Sequence, residues 1–207
     1  MSIQQVLNDM KTDIKLNGKD ILLLLLYTPS ESEQIGIPIN GRTRLTKMVF
    51  VFKEEIYKKA RFDKMLDPDK LPKFYAWNYG PFSRDVYSDI DFFIHIGFIQ
   101  AKAYDGDQAL SAAAEEYSLW ESELSVDTVD VTEYTEECLE LAPLGKRYIE
   151  EKNLWNCLSE HQRKCLIEFK HKFTHAPLYA ILKYVYDNYP DYTDKSVIKD
   201  KVAAWSP

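Results

Sequence analysis

Apolar residues fall along this chain in two kinds of pattern. Residues 21–27 are an unbroken run, ILLLLLY. A run of that kind, without alternation, reads as a buried helix over residues 19–28, stopped by Thr28-Pro29. Residues 29–41, PSESEQIGIPING, are a loop by composition. From residue 42 the spacing changes. Leu45, Met48, Val49, Phe52 and Ile56 recur three or four apart with Lys and Glu between them, which predicts a second helix with one apolar face. Asn40 or Thr43 suits its N-cap.

Residues 64–73 form a proline-punctuated connection, and Phe74 to Tyr79 a short extended piece. Ser83 then has the chemistry of an N-cap, with Asp85 in the first turn to suit the helix dipole. Val86, Ile90, Phe93 and Ile94 give the third helix its apolar face, and Gly97 sits where a glycine ends a helix. Phe98 to Ala103 reads as a strand, Asp105-Gly106 as a turn, and Glu137 to Leu141 as a return strand. The stretch 107–134 between them reads as an insertion, with a helical segment at Ala112 to Leu124. Pro143-Leu144-Gly145 leads into a helix. From Asn153 the chain reads as helical again, with Leu154, Leu158, Cys165, Leu166 and Phe169 on one side. Pro177-Leu178 opens another helix, stopped by Pro190, and the tail forms a short last helix.

Three helices followed by a two-stranded ribbon is the winged-helix arrangement. The expected fold is therefore mainly α (α+β). It has a winged-helix domain over residues 1–150, carrying a two- or three-stranded wing and the insertion at 107–134. Residues 151–207 make a C-terminal helical extension packed on it. An all-helical bundle with a decorative hairpin is the alternative.

Composition sharpens this picture. The chain has 207 residues, 45% of them hydrophobic, enough to bury a sizeable core. Seven glycines argue against a glycine-rich nucleotide-binding fold. Three cysteines, Cys138, Cys157 and Cys165, without a secretory signal point to the reducing cytoplasm. The longest apolar run is too short to cross a bilayer, so no membrane partner is expected. The net charge of −7 is strongly segregated: residues 42–64 carry eight Lys or Arg against three acids, and residues 103–145 carry twelve acids and no base.

Reactive residue types are present without a catalytic arrangement. Cys157, His161 and Cys165 share one face of a helix, but turns about 5.4 Å apart separate the two cysteines by roughly 12 Å, too far for one ion with ligand distances of about 2.0–2.3 Å. Ser83 and His95 lie roughly 18 Å apart on the third helix and cannot act as nucleophile and base on each other. No phosphate loop, zinc-protease motif or nucleophile elbow occurs. The expectation is a non-enzymatic protein with no catalytic residue, metal or cofactor.

The segments RTRLTKMVF, YAWNYGPFSRDVYSDIDFFIHIGFI and LAPLGKRYIEE resemble a widespread set of bacterial and archaeal winged-helix proteins. Their pattern is similar to that of the Panacea-domain (SocA-like) antitoxins, with a helix reading roughly "LQKLLYF" and a later "YGP" turn. Arg44 to Phe50 match the first element and Tyr79-Gly80-Pro81 the second. The resemblance covers about residues 20–150. It implies a protein that binds a protein partner, such as a toxin, in a defence-associated setting. Tyr79, Gly80, Pro81, Phe82 and Ser83 then form a structural corner, with Tyr79 and Phe82 pinning it to the core. This chain has only Trp77 ahead of that turn, where the antitoxins carry a Trp-rich segment, and the acidic insertion has no counterpart in them.

DNA binding is the competing expectation. A groove-reading third helix favours Arg, Lys, Asn or Gln on its outer face. Here that face offers Arg84 beside Asp85, Ser88, Asp89 and Asp91. Basic candidates instead lie on the second helix: Arg42, Arg44, Lys47, Lys58, Lys59 and Arg61. With Arg84 they are candidate contacts to DNA or to an anionic partner, unless they pair with the acidic insertion. Charge segregation of this degree also suits self-association as a homodimer. The tyrosines near the C-terminus, Tyr179, Tyr184, Tyr186, Tyr189 and Tyr192, are either an interface or ring packing on the domain.

Overall fold

In the computed structural model, which describes residues 15–29, 35–103 and 137–204, the leucine run is helix α1, Gly18–Tyr27. A capping box seals its start: the Asn17 side chain accepts from the Lys19 N–H (3.0 Å), and the Asp20 carboxylate accepts from the Asn17 N–H (2.8 Å). All of its residues except Lys19 are buried, as a helix apolar on every side requires.

Helix α2 begins as Arg42–Val51, passes through a π-helical turn at Phe52–Ile56 and closes with Tyr57–Lys59. The residue before it is Gly41 at φ 83°, and no side chain caps the helix. Neither Asn40 nor Thr43 plays that part, because Asn40 is held in strand β1, Ile39–Asn40. Nor does α2 have a single apolar face. Residues 44–52 are buried all round, since α2 is the central rod of the molecule.

The extended piece is strand β2, Tyr75–Trp77. It pairs antiparallel with β3, Gly80–Phe82, across the turn Asn78-Tyr79. Helix α3, Arg84–His95, follows at once, its first turn capped by Ser83 Oγ, which accepts from the Val86 N–H at 3.4 Å. Gly97, at φ 74°, ends it. Strands β4 (Ile99–Ala103) and β5 (Glu137–Leu141) pair antiparallel, Ala101 opposite Leu139. Strand β1 lies against the other edge of β5, giving the order β1-β5-β4. The loop expected at residues 29–41 therefore contributes a strand. Its two residues are strand because Leu139 and Cys138 pair with them, not because of any local alternation.

Helix α4 is Pro143–Glu151. It lies so close to the preceding chain that a Cβ on Gly145 would stand 2.3 Å from the Phe98 carbonyl oxygen. The helix expected from Asn153 starts later. Asn153 takes a left-handed φ of 56°, residues 152–158 turn, and helix α5, Glu160–His175, opens on a Ser159–Gln162 capping box. Helix α6 (Leu178–Asn188), a 3-10 turn at Pro190–Tyr192 and helix α7 (Lys199–Ala204) follow as the last described elements. The described residues are mainly helical with two small antiparallel sheets. One apolar core joins residues from Leu16 to Val202. The insertion at 107–134, with its expected helix at Ala112 to Leu124, lies outside the described residues.

Candidate interaction surface at the aromatic hairpin

Two sequence motifs 34 residues apart meet at one hydrogen bond. Lys47 Nζ, on α2, donates to the Pro81 carbonyl at 2.9 Å. Lys47 is only 3% exposed, and burial draws its ammonium down to a pKa of about 7. The same corner is held from a second side by α6. Gly80 has φ 82°, and a Cβ there would lie 3.0 Å from Cε2 of the Tyr186 ring, so the position is restricted to glycine both by backbone and by space. A third hold comes from the segment before α7: Ser196 Oγ and the Val197 N–H each donate to the Asn78 carbonyl at 3.0 Å. Tyr186 Oη and Ser196 Oγ are 2.6 Å apart and link the last two holds.

The corner so fixed displays aromatic rings. Tyr75 and Trp77, two residues apart, stand on one face of β2, with ring centroids 6.0 Å apart. Phe82, opposite Tyr75 in the register, places its ring 5.5 Å from Tyr75 and 6.4 Å from Trp77. Tyr87, from α3, extends the row at 4.9 Å from Phe82. Trp77 is 46% exposed, and Val197, bonded to the turn, is 55% exposed. Phe82 therefore belongs to the outward row rather than pinning the corner inward, while Tyr79 is half-buried against the core. Trp77 carries the surface, flanked by the half-buried Tyr75 and Tyr87, neither of them singled out from sequence. The signal is the period-two pair Tyr75 and Trp77 on a strand with one solvent face.

The basic candidates do not act together. Arg44, 6% exposed, is inside the molecule, its guanidinium donating to the carbonyls of Phe173 (2.5 Å) and Ala176 (2.6 Å) at the end of α5. Arg44 and Lys47 are thus corrected from surface contacts to interior struts. Arg42 pairs with Asp91. Lys58, Lys59 and Arg61 are exposed at the far end of α2, about 25 Å from Arg42 at about 1.5 Å per residue. Arg84 is exposed at the start of α3. On α3, Asp85 accepts from the Lys73 N–H at 3.2 Å. Asp89, expected on the outer face, is buried and pairs with Lys19 at 2.7 Å.

The C-terminal tyrosines mostly turn inward. Tyr184 and Tyr189 both donate to Glu55 Oε1, at 2.5 and 2.7 Å, and Tyr192 packs on Phe50 with centroids 4.8 Å apart. Burial and the Glu55 carboxylate push the Tyr184 phenol up to about 12 and that of Tyr189 further still. Of the group only Tyr179 is exposed. Ser83 is buried as a cap. Cys157 lies in the turn before α5, donates to the Leu154 carbonyl at 3.2 Å, and burial pushes its thiol up to about 11. Among the described residues no three of His, Cys, Asp and Glu come together to hold a metal ion, and no helix is long and apolar enough to cross a membrane. Compared with protein-family models, with curated proteins and with solved structures, the chain matches none.

Proposed function

We propose that this chain is a winged-helix protein that works without catalysis, by binding a protein partner in an antitoxin-like or defence-associated role. Three features support the fold. Helices α1, α2 and α3 precede the β4–β5 ribbon, strand β1 falls between α1 and α2, and the sheet order is β1-β5-β4, as in winged-helix domains. The two motifs of the family resemblance are also in contact, through Lys47 and Pro81.

The observation that carries the interaction reading is Trp77, a large ring nearly half exposed on a hairpin held from three sides. Rigid, exposed aromatics are the anchors of protein interfaces, because they bury much area at little cost in ordering. DNA reading is less well supported. Its third helix shows Asp85 and Asp91 to solvent, where phosphates repel them, and two of its basic candidates are interior.

The test is the affinity, by calorimetry, between this chain and the polypeptide encoded beside its gene, for wild type and Trp77→Ala. An exposed ring contributes little to stability, so the variant folds. Loss of an anchor worth at least about 1.4 kcal/mol weakens binding at least tenfold. Equal binding by the variant would falsify the hairpin as the contact. If the wild type is instead a dimer that Trp77→Ala dissociates in sedimentation, the partner is a second copy. Retardation of duplex DNA by the wild type at about 0.05 M salt would favour the DNA alternative.

A further inference from the structure

Away from the hairpin, the C-terminal end of α2 abuts the start of α5. His161 Nε2 lies 3.4 Å from the Lys59 carbonyl oxygen, and Gln162 Nε2 donates to the Arg61 carbonyl at 3.3 Å. Both elements bring cations to this junction. Lys58, Lys59, Arg61 and Lys64 are exposed on the α2 side; on α5, Lys164 is exposed and Arg163 half-buried. Burial raises the pKa of the Cys165 thiol, and the charges of Lys59 and Lys164 both oppose that rise, so cations of the two elements stand around one sulfur. Carboxylates are fewer. Asp63 and Glu160 are exposed here, and Glu168 lies 4.0 Å from Lys164. Asp67 instead caps the next 3-10 turn, accepting from the Asp69 N–H at 3.0 Å, and Glu55 holds Tyr184 and Tyr189. No ion pair among the described residues involves Lys58, Lys59, Arg61 or Lys64.

The dipole of α2 accounts for lysines in its last turn. It does not account for Arg61, which takes a φ of 57° just past the helix end, a position that favours glycine. Gln162, only 6% exposed, holds the carbonyl of that residue in place. An arginine kept in a left-handed conformation, with its charge exposed, is a local conflict of the kind found where a surface has a task.

We propose that this junction is a docking surface for an acidic segment of a partner polypeptide, separate from the aromatic hairpin and independent of it. An extended segment with an acid at every second residue sets carboxylates roughly 7 Å apart. That spacing lets them meet the cations and pass around Asp63, Glu160 and Glu168. Duplex DNA, with one negative charge per about 1.7 Å of its axis, meets those three acids as well as the cations, and is disfavoured.

Fluorescence anisotropy of a labelled poly-glutamate peptide, titrated with the full chain at about 0.05 M salt, tests the surface. The peptide binds, and about 0.5 M salt weakens binding at least tenfold. Lys58→Glu/Lys59→Glu weakens it at least tenfold at low salt. Lys195→Glu/Lys199→Glu, the same change of charge beside the hairpin, alters it less than twofold. So does Trp77→Ala, which separates this surface from the hairpin. Arg61→Gly guards against a folding defect. Glycine takes the φ of 57° without strain, so the thermal midpoint of this variant at least matches that of the wild type, while peptide binding falls at least threefold. No anisotropy change at low salt, equal loss in the two charge-reversal variants, or full binding by Arg61→Gly overturns the proposal. Tighter binding of duplex DNA than of the peptide, lost in Lys58→Glu/Lys59→Glu, makes the occupant a nucleic acid and overturns it too.

Discussion

Among the described residues, four buried or half-buried cations donate to backbone carbonyls. Lys47 reaches Pro81, Arg44 reaches Phe173 and Ala176, Lys53 reaches Pro72 at 3.0 Å, and Lys170 reaches Leu26 (2.8 Å) and Thr28 (3.0 Å). Arg44 and Lys170 close the ends of α5 and α1, where unpaired carbonyls and the helix dipole attract a cation. Burial draws both Lys47 and Lys170 down to about 7, against about 10.4 for an unfolded lysine. Above pH 7 the unfolded chain therefore holds protons that the native chain has released, and stability rises with pH. Between about pH 6.5 and 8.5, urea unfolding should show a gain on the order of 1 kcal/mol per lysine. In Lys47→Met/Lys170→Met that slope should flatten. A wild-type stability that is level or falls across this window would contradict the assignment. Higher pH reverses the trend, because Tyr184 and Tyr189 have raised pKa values and their contribution is lost as pH climbs above about 10.

At the scale of elements, the π turn of α2 is where the C-terminal helices are tied on. Glu55, within it, accepts both the Tyr184 and the Tyr189 hydroxyl on one oxygen. Insertion of a π turn commonly marks a position with a task, and here the visible task is this junction. Glu55→Ala should cost about 1–3 kcal/mol in urea unfolding, the penalty for stranding a charge-assisted pair. Tyr184→Phe should cost less. The double variant should lose less than the two singles added, by at least about 0.5 kcal/mol, as residues in one network do. Strict additivity would remove the coupling. None of this was legible beforehand. The sequence pattern locates α1, α3, the strands β4 and β5 and the Ser83 cap, because each rests on local signals: an apolar run, a 3.6 period, a capping residue. It fails where neighbours decide. Strand β1 exists through Leu139 and Cys138, and the start of α5 is set by a left-handed Asn153. The arginine and lysine of α2 read as surface charge because nothing local announces that carbonyls 34 to 132 residues away will satisfy them.

At the scale of the molecule, those long-range bonds decide how the chain divides. Arg44 on α2 closes α5, Lys170 on α5 closes α1, and Glu55 on α2 anchors α6. The hairpin that bears Trp77 depends on Tyr186, Ser196 and Val197 from beyond residue 178. Removing everything after residue 151 would strip the core of Leu166, Phe169, Leu182 and Val185. It would also leave Glu55 without its tyrosines, Arg44 without its carbonyls and the α1 end without Lys170. Large apolar side chains that lose their cover in this way cost about 1.5–3 kcal/mol each, against a total stability of about 5–15 kcal/mol for a domain of this kind. A chain ending at residue 151 should therefore lack a cooperative thermal transition. A helical, cooperatively melting fragment would show instead that the first half folds by itself. The same dependence bears on function. Because the aromatic hairpin is braced by the C-terminal helices, Tyr186→Ala should loosen the hairpin and weaken partner binding even though its ring is buried, whereas Tyr179→Ala, exposed on α6, should leave that affinity unchanged. Equal affinity for wild type and Tyr186→Ala would mean that the hairpin keeps its geometry without the brace.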